Sequence, residues 1–142
     1  MFEHEVVKID RTMKVVKGGK RLSFRCLVVI GNKRGQVGVG VGKGRDVATS
    51  IDNAKKDAYK QIVQVPITPS KSIPHPVVGH FGASKIMLRP SAPGSGLIAG
   101  SSIRTVLEFA GIKNILAKRL GSRNLLNNVR ATLKILSNLK SN

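Results

Sequence analysis

Three groups of residues in this chain could do chemistry. They are a glycine ladder ending in lysine, a scatter of acids, histidines and one cysteine, and a series of Lys/Arg clusters. The ladder, Gly38-x-Gly40-x-Gly42-Lys43, invites comparison with a phosphate-binding loop. Such a loop needs Gly, four residues, then Gly-Lys-Ser/Thr. Here Val37 occupies the first glycine position, and Gly44 stands where a Mg²⁺-binding hydroxyl is required. The glycines also alternate with valines, as in a strand, so nucleotide binding is not the reading. His4, His75 and His80 share no metal-ligand spacing. Glu3, Glu5, Asp10, Asp46, Asp52, Asp57 and Glu108 are too scattered for the paired carboxylates of two-metal hydrolysis. No Ser-His-Asp grouping is evident. Cys26 lies in an apolar run and reads as core. As the lone cysteine it excludes an internal disulfide and points to a reducing compartment. No catalytic residue, metal or cofactor is expected.

What remains is cationic. Arg11 and Lys14, then Lys17, Lys20 and Arg21, then Lys33 and Arg34, then Lys43 and Arg45, crowd the turns of the first half, with Gly18 and Gly19 among them. Lys55 and Lys56 follow on a helix. Lys and Arg neutralise phosphate, and glycine lets a backbone approach a bulky partner. Together these thirteen positions are the candidate RNA contacts.

The composition agrees. The formal charge is +18, from 25 Lys plus Arg against 7 acids. Residues 1–66 hold 14 basic and 6 acidic residues, a net of +8; residues 67–142 hold 11 basic residues and Glu108, a net of +10. Such a field repels itself and is relieved by a polyanion. With 41% hydrophobic residues the chain can still bury a core. Trp is absent and Tyr59 is the single Tyr. This disfavours single-strand binding on aromatic platforms and suits recognition of a folded RNA by shape and phosphate. No apolar run approaches the ~20 residues of a membrane span, and residues 1–10 resemble neither a signal nor a transit peptide.

The elements that must position these residues can be read from periodicity. Val6 to Val16 predicts a first strand, with Val7, Ile9 and Arg11 at alternating positions. Lys17 to Arg21 is a turn in which Gly18-Gly19 permits positive φ. Ser23 to Ile30 is a second strand, apolar on both faces and hence central. Gly31 to Gly35 is another basic turn, and Gln36 to Gly42 a third strand. On that strand Val37, Val39 and Val41 face one way and Gly38, Gly40 and Gly42 the other. Either another backbone or RNA must gain from the bare face, with internal packing favoured. Turn alternation puts Lys43 and Arg45 at the same end as Lys17–Arg21, away from Lys33-Arg34. Asp46 is an expected N-cap, followed by a helix with Val47, Ile51, Ala54, Ala58 and Ile62 as its apolar stripe. The proline-rich segment 65–76 divides the chain near residue 67, giving units 1–67 and 68–142. The second unit reads β-β-α-β-α: a strand pair over 77–90, a loop 91–96, a helix to Ala110 stopped by Gly111, a strand over 114–120, and a helix capped by Asn124. In that loop, Gly94-Ser95-Gly96 leading to a helix start is a second candidate anion site. The fold class is α+β in two small domains.

Val16-Lys17-Gly18-Gly19-Lys20 with Ser23-Phe24, and Gly35-x-Val37-Gly38-x-Gly40-x-Gly42-Lys43, resemble the first domain of the small-subunit ribosomal protein S-five family. His75-Pro76-Val77, Gly94-x-Gly96-x-Ile98-Ala99-Gly100, Val106-Leu107-Glu108-x-Ala110-Gly111 and Gly121-Ser122-x-Asn124 through Thr132 resemble its second. The resemblance runs in order over about residues 6 to 137. It implies a double-stranded-RNA-binding-like β-β-β-α domain, then a β-α-β-α domain with a left-handed crossover. It also implies a non-catalytic constituent of the small ribosomal subunit. Such proteins bind small-subunit ribosomal RNA near the decoding region, help line the messenger RNA entrance, and touch the fourth and eighth small-subunit proteins. Lys17, Gly18, Gly19 and Lys20 fall in the family's loop that reaches RNA of the head and neck, where changes are associated with spectinomycin resistance. Gly96 and Arg104 fall where the family meets the fourth protein, a contact tied to translational accuracy. Glu108, one helical turn from Arg104, is expected to pair with it. Gly44 and Arg45-Asp46 depart from the family's usual residues. The Ala92-Pro93-Gly94 and Leu126-Asn127-Asn128 variants, with fifteen Lys against ten Arg, lean towards a plastid member working in the stroma. A bacterial cytoplasm is the alternative. Neither a membrane partner nor a free homo-oligomer is expected. The rival classes are an RNA-processing enzyme, which lacks an acid cluster, and a cationic membrane-surface protein, for which only Lys55 to Lys60 comes close.

Overall fold

A computed structural model describes residues 2–69, 71–122 and 124–139. In chain order it contains β1 (Glu3–Val16), β2 (Gly19–Gly31), β3 (Gln36–Gly44), α1 (Val47–Tyr59), β4 (Val63–Gln64), β5 (Val77–Phe81), β6 (Ser84–Pro90), β7 (Leu97–Ile98), α2 (Ser101–Ala110), β8 (Ile115–Gly121) and α3 (Leu125–Ser137). The strands form two sheets, ordered β1-β2-β3-β4 and β5-β6-β8-β7. The first is antiparallel throughout. The second has one parallel pair, β7 with β8, joined through α2. That is the crossover to which the family resemblance assigns its left hand.

β2 is central, as its two apolar faces demand. Cys26, Val28 and Ile30 face α1 and form a small core with Ala54 and Ala58. Leu27 and Val29 face the other way. They join Val37 and Val39 of β3 in a large core shared with the second sheet, α2 and α3. The Sγ of Cys26 sits 2.9 Å from Ser50 Oγ, both buried, as a core cysteine should.

The glycine ladder serves this packing. A Cβ on Gly40 would collide with the backbone of Ala54 and Ala58, and one on Gly42 with the backbone of Ala54 and Ser50. On Gly38 it would lie 2.6 Å from the carbonyl oxygen of Ala58. The bare face is thus where α1 lies directly on β3, and it is not open to RNA. The helix also closes the sheet's edge. Val41 N–H donates to Asp57 Oδ2 (2.9 Å), and Asn53 Nδ2 donates to the carbonyl of Lys43 (2.7 Å). Asp46 caps α1 as expected, accepting from Thr49 N–H at 2.7 Å.

Several boundaries differ from the periodicity reading. A register shift between Val6 and Lys8 breaks the expected alternation. Val7 packs on the large core, whereas Ile9 pairs with Cys26 on the other face and is 47% exposed. The expected five-residue turn shrinks to Lys17-Gly18, because Val16 already pairs with Gly19. Gly18 takes positive φ (94°), while Gly19 begins β2 without it. β3 runs on to Gly44. β4 and β7 are two-residue strands set by pairing with β3 and β8 rather than by any local pattern. The caps of the second half stand where expected: Gly111 has φ 98° after α2, and Asn124 accepts from Asn127 N–H before α3.

Replacing Gly40 with Ala should lower unfolding free energy by about 3 kcal/mol, the upper end for overpacking, because the clash is with backbone. Gly19→Ala, with nothing within 4 Å of its Cβ, should leave the denaturant midpoint nearly unchanged. Equilibrium unfolding of the two variants checks the contrast.

Candidate nucleic-acid interface

The first sheet does not end level. β3 stops where Gly44 pairs across from Phe24, but β1 and β2 continue for five more rungs, from Thr12↔Ser23 to Val16↔Gly19. At about 3.3 Å per residue this is a free hairpin arm of about 17 Å. Long right-handed ribbons hold together through cross-strand pairs, and the arm has a suitable one: Thr12 Oγ1 lies 2.6 Å from Ser23 Oγ.

The predicted cations distribute unevenly over this frame. Arg11 lies on β1 at the arm's base, Lys14 on β1 of the arm, Lys17 and Gly18 at its tip, and Gly19, Lys20 and Arg21 on the returning strand. Arg11, Lys17 and Arg21 are exposed. The side chains of Lys14 and Lys20 lie outside the described part of the structure. Lys43 and exposed Arg45 sit at the arm's base, so they share its end of the sheet but not its tip. Lys43 pairs directly with Arg25, a cation that the sequence reading did not single out. Between residues 11 and 45 there are ten Lys or Arg and no acid, so nothing within the segment neutralises the arm.

One face of the arm is also apolar. Met13 (60% exposed), Val15 (77%) and Leu22 (42%) share it, with Arg11 next in line and Val15 registered against Lys20. The first strand was read to Val16, whereas the wide turn over Lys17–Arg21 hid the early start of β2 at Gly19 and with it the place of Leu22 on this face.

Lys33 and Arg34 occupy a different place. Their turn docks on the C-terminus of α2. Lys33 N–H donates to the carbonyl of Phe109 (2.9 Å), and Gly35 N–H to that of Ala110 (2.8 Å). Asn32 Oδ1 shapes the turn by accepting from Arg34 N–H and Gln36 N–H. Lys33 takes φ 58°, and a Cβ on Gly31 or Gly111 would strike Phe109 or the Lys33 carbonyl. The Lys33 ammonium lies 2.9 Å from Glu3 Oε2 and 5.7 Å from the centre of the Phe109 ring. Its position near a helix C-terminus is favourable for a cation. This joint between the sheets was missed because its partners are some 75 residues apart. Lys55 is half-buried and Lys56 exposed on α1, away from the arm's tip.

In the second half, Gly96 has φ 82° and open space around it. Its N–H and that of Gly94 both donate to Asn114 Oδ1 at 3.1 Å. These amides are thus engaged, and β7 separates them from α2, so the loop and helix start do not form one anion cradle. Arg104 Nε donates to Glu108 Oε1 at 3.0 Å, the expected pair. Among the described residues, no cluster of His, Cys, Asp or Glu could hold a metal ion. None of their helices is long and apolar enough to cross a membrane.

The fold and the acid-free basic arm define a class, that of small basic α+β proteins shaped to fit a polyanion. The sequence comparisons narrow it. The profile for "Ribosomal protein S5, N-terminal domain" matches residues 2–66, and that for "Ribosomal protein S5, C-terminal domain" matches residues 79–142. The chain belongs to the ribosomal protein S5 family, and is a structural constituent of the ribosome rather than an enzyme. It is 59% identical over 140 residues to "Small ribosomal subunit protein uS5" of Acaryochloris marina, covering 99% of this chain and 79% of that protein. The "Small ribosomal subunit protein uS5c" of Pyropia yezoensis is 59% identical over 140 residues, with 99% and 80% covered. That of Cyanophora paradoxa is 58% identical over 140 residues, with 99% and 83% covered. The relatives are thus of bacterial and plastid type.

The Glu3–Lys33 pair makes a pH prediction. The hydrogen bond from Lys33, then its charge, holds the Glu3 carboxyl below its ordinary value, and the same bond raises Lys33. Glu3's contribution is present above the unfolded carboxylate range and is lost as pH falls through its depressed folded value. Lys33's is present below about 10.4 and lost as pH rises through its elevated one. A carboxyl NMR titration should find Glu3 depressed in the parent. In Lys33→Met its midpoint should rise towards the ordinary carboxylate range.

Proposed function

We propose that this protein is a structural constituent of the small ribosomal subunit that presses its hairpin arm into folded ribosomal RNA near the decoding region. The observation that carries this reading is the arm itself: five rungs beyond the sheet, cationic along both strands, without an acid. Arg11, Lys14, Lys17, Lys20 and Arg21 neutralise phosphates, and the tip at Lys17-Gly18 brings backbone close to RNA. Lys43 and Arg45, with Arg25, extend the contact at the base. Lys33, Arg34, Lys55 and Lys56 form outlying contacts, Lys33 sharing its charge with Glu3. The two units divide near residue 67, and their common core holds the arm's base still. Gly96 and Arg104 meet the fourth small-subunit protein, and the eighth adjoins the same half. Messenger RNA entry and translational accuracy follow from that neighbourhood. Relatives from cyanobacteria and the uS5c proteins support a plastid stroma as the site of work, with a bacterial cytoplasm as the alternative.

Binding to small-subunit ribosomal RNA should weaken linearly in log–log form with salt. Each phosphate contact contributes about 0.7–0.9 to the slope, so Lys17→Gln with Arg21→Gln should reduce it by about 1.4–1.8. A flat salt response in the parent, or a protein that fails to sediment with small subunits, would count against the proposal.

A further inference from the structure

Loop 91–96 carries Gly96, and its shape is imposed from outside. Pro93 and Gly94 are the central residues of a turn closed by Ser95 N–H, which donates to the Ala92 carbonyl at 3.0 Å. Gly94 (φ 87°) and Gly96 (φ 82°) both lie in the left-handed region. Glycine enters that region at no steric cost and leaves it as easily. A Cβ at either position would meet nothing within 4 Å, so close packing around them does not hold the loop. Hydrogen bonds to one side chain do. Asn114 Oδ1 accepts from Gly94 N–H and from Gly96 N–H, both at 3.1 Å, which uses the two lone pairs of an amide oxygen. The Gly96 carbonyl in turn accepts from Ile115 N–H (3.2 Å), where β7 begins to pair with β8. Asn114 is itself held. It is 8% exposed and lies between buried Ile112 and Ile115. The proline-rich segment reaches it from the other side: the Lys71 carbonyl accepts from Lys113 N–H (2.8 Å) and Asn114 N–H (3.0 Å). Lys71 takes φ 60° to make this contact, in a turn that Thr68 N–H closes on the Ser72 carbonyl and that buried Ile73 anchors.

We propose that Asn114 is the positioning residue of the contact with the fourth small-subunit protein, holding loop 91–96 in the conformation that this partner meets. This rests on the reading that Gly96 touches that protein. A loop with two glycines at positive φ has many alternatives, and each conformer that cannot dock lowers the apparent affinity by its share of the population. Two hydrogen bonds to a buried, doubly anchored side chain remove those alternatives before the partner arrives, so docking carries little further ordering cost. The bonds end on amides of exposed Gly94 and half-buried Gly96 rather than in the core. Their loss therefore frees the loop and leaves the sheets and helices in place.

The test measures binding of the full chain to a partly assembled small-subunit RNA particle, with and without the purified fourth protein. The readout is the factor by which that protein tightens binding. Asn114→Ala should lower this factor about tenfold, the effect of two lost hydrogen bonds, with affinity for the particle lacking the fourth protein unchanged. In the free chain, amide hydrogen exchange at Gly94 and Gly96 should accelerate. Asn114→Asp keeps an acceptor oxygen for both amides and should restore both the factor and the protection. A factor in Asn114→Ala equal to the parent's, or an equal loss in Asn114→Asp, overturns the inference and leaves the proposed function standing. A loss of affinity just as large without the fourth protein shows a merely structural role and also overturns it. If the fourth protein does not tighten binding of the parent, the Gly96 contact falls and the inference with it, while the salt dependence of the arm is untouched.

Discussion

Everything in this fold depends on β2 having to be covered twice. A strand with Cys26, Val28 and Ile30 on one side and Leu27 and Val29 on the other cannot face water with either. α1 covers the first side. The second side is closed by the rest of the chain, through Ile86, Leu107, Ile112, Leu136 and their neighbours. The two sheets are therefore not beads on a linker, because the core of one is completed by the other. The turn 31–35, capping α2 with two backbone hydrogen bonds, fixes their meeting from outside that core.

This double cover is what allows an arm. A two-stranded ribbon on its own is marginal in water. Here β1 and β2 leave a sheet whose inner half is clamped on both faces, so only the last five rungs stand free. The glycine ladder belongs to the clamp. By letting α1 approach β3 at backbone distance, Gly38, Gly40 and Gly42 bring the helix's small residues Ser50, Ala54 and Ala58 onto the sheet. The motif that looked most like a ligand loop is the seam of the structure.

How much of this was legible depended on whether the signal was local. Period-two and helical patterns, the Asp46 and Asn124 caps and the Gly111 stop reside in neighbouring residues, and these elements were read in order. The choice for the bare face of β3 could be framed from Gly38, Gly40 and Gly42, and the packing of α1 decided it. The arm's length was hidden because Lys20 and Arg21 look like turn residues, although a two-residue turn at Lys17-Gly18 suffices. The docking of Lys33 on α2 and the short strands β4 and β7 involve partners distant in sequence, which no local pattern reports. Arg25 escaped notice because it lies inside a strand rather than in a turn. Period two already sets Lys85 and Arg89 of β6 opposite Ile86 and Leu88, but which of the two faces stays open is defined only once the helices have chosen the other.

The charges sort by the same logic. Five of the seven acids are engaged by the fold: Glu3 with Lys33, Asp10 with Lys8, Asp46 and Asp57 with backbone N–H groups, and Glu108 with Arg104. A carboxylate accepting such bonds is useful to a helix start or a sheet edge, and each one spent this way is withdrawn from neutralising the surface. Among the described residues the cations of the arm have no such employment. They stand where elements project, with Lys14 registered against Arg21 and Arg25 against Lys43, like charges set opposite each other that the free chain must tolerate. A protein with this division of labour folds with its acids and keeps its bases for a partner, and the self-repulsion left over in the free chain becomes part of the driving force for assembly with a polyanion.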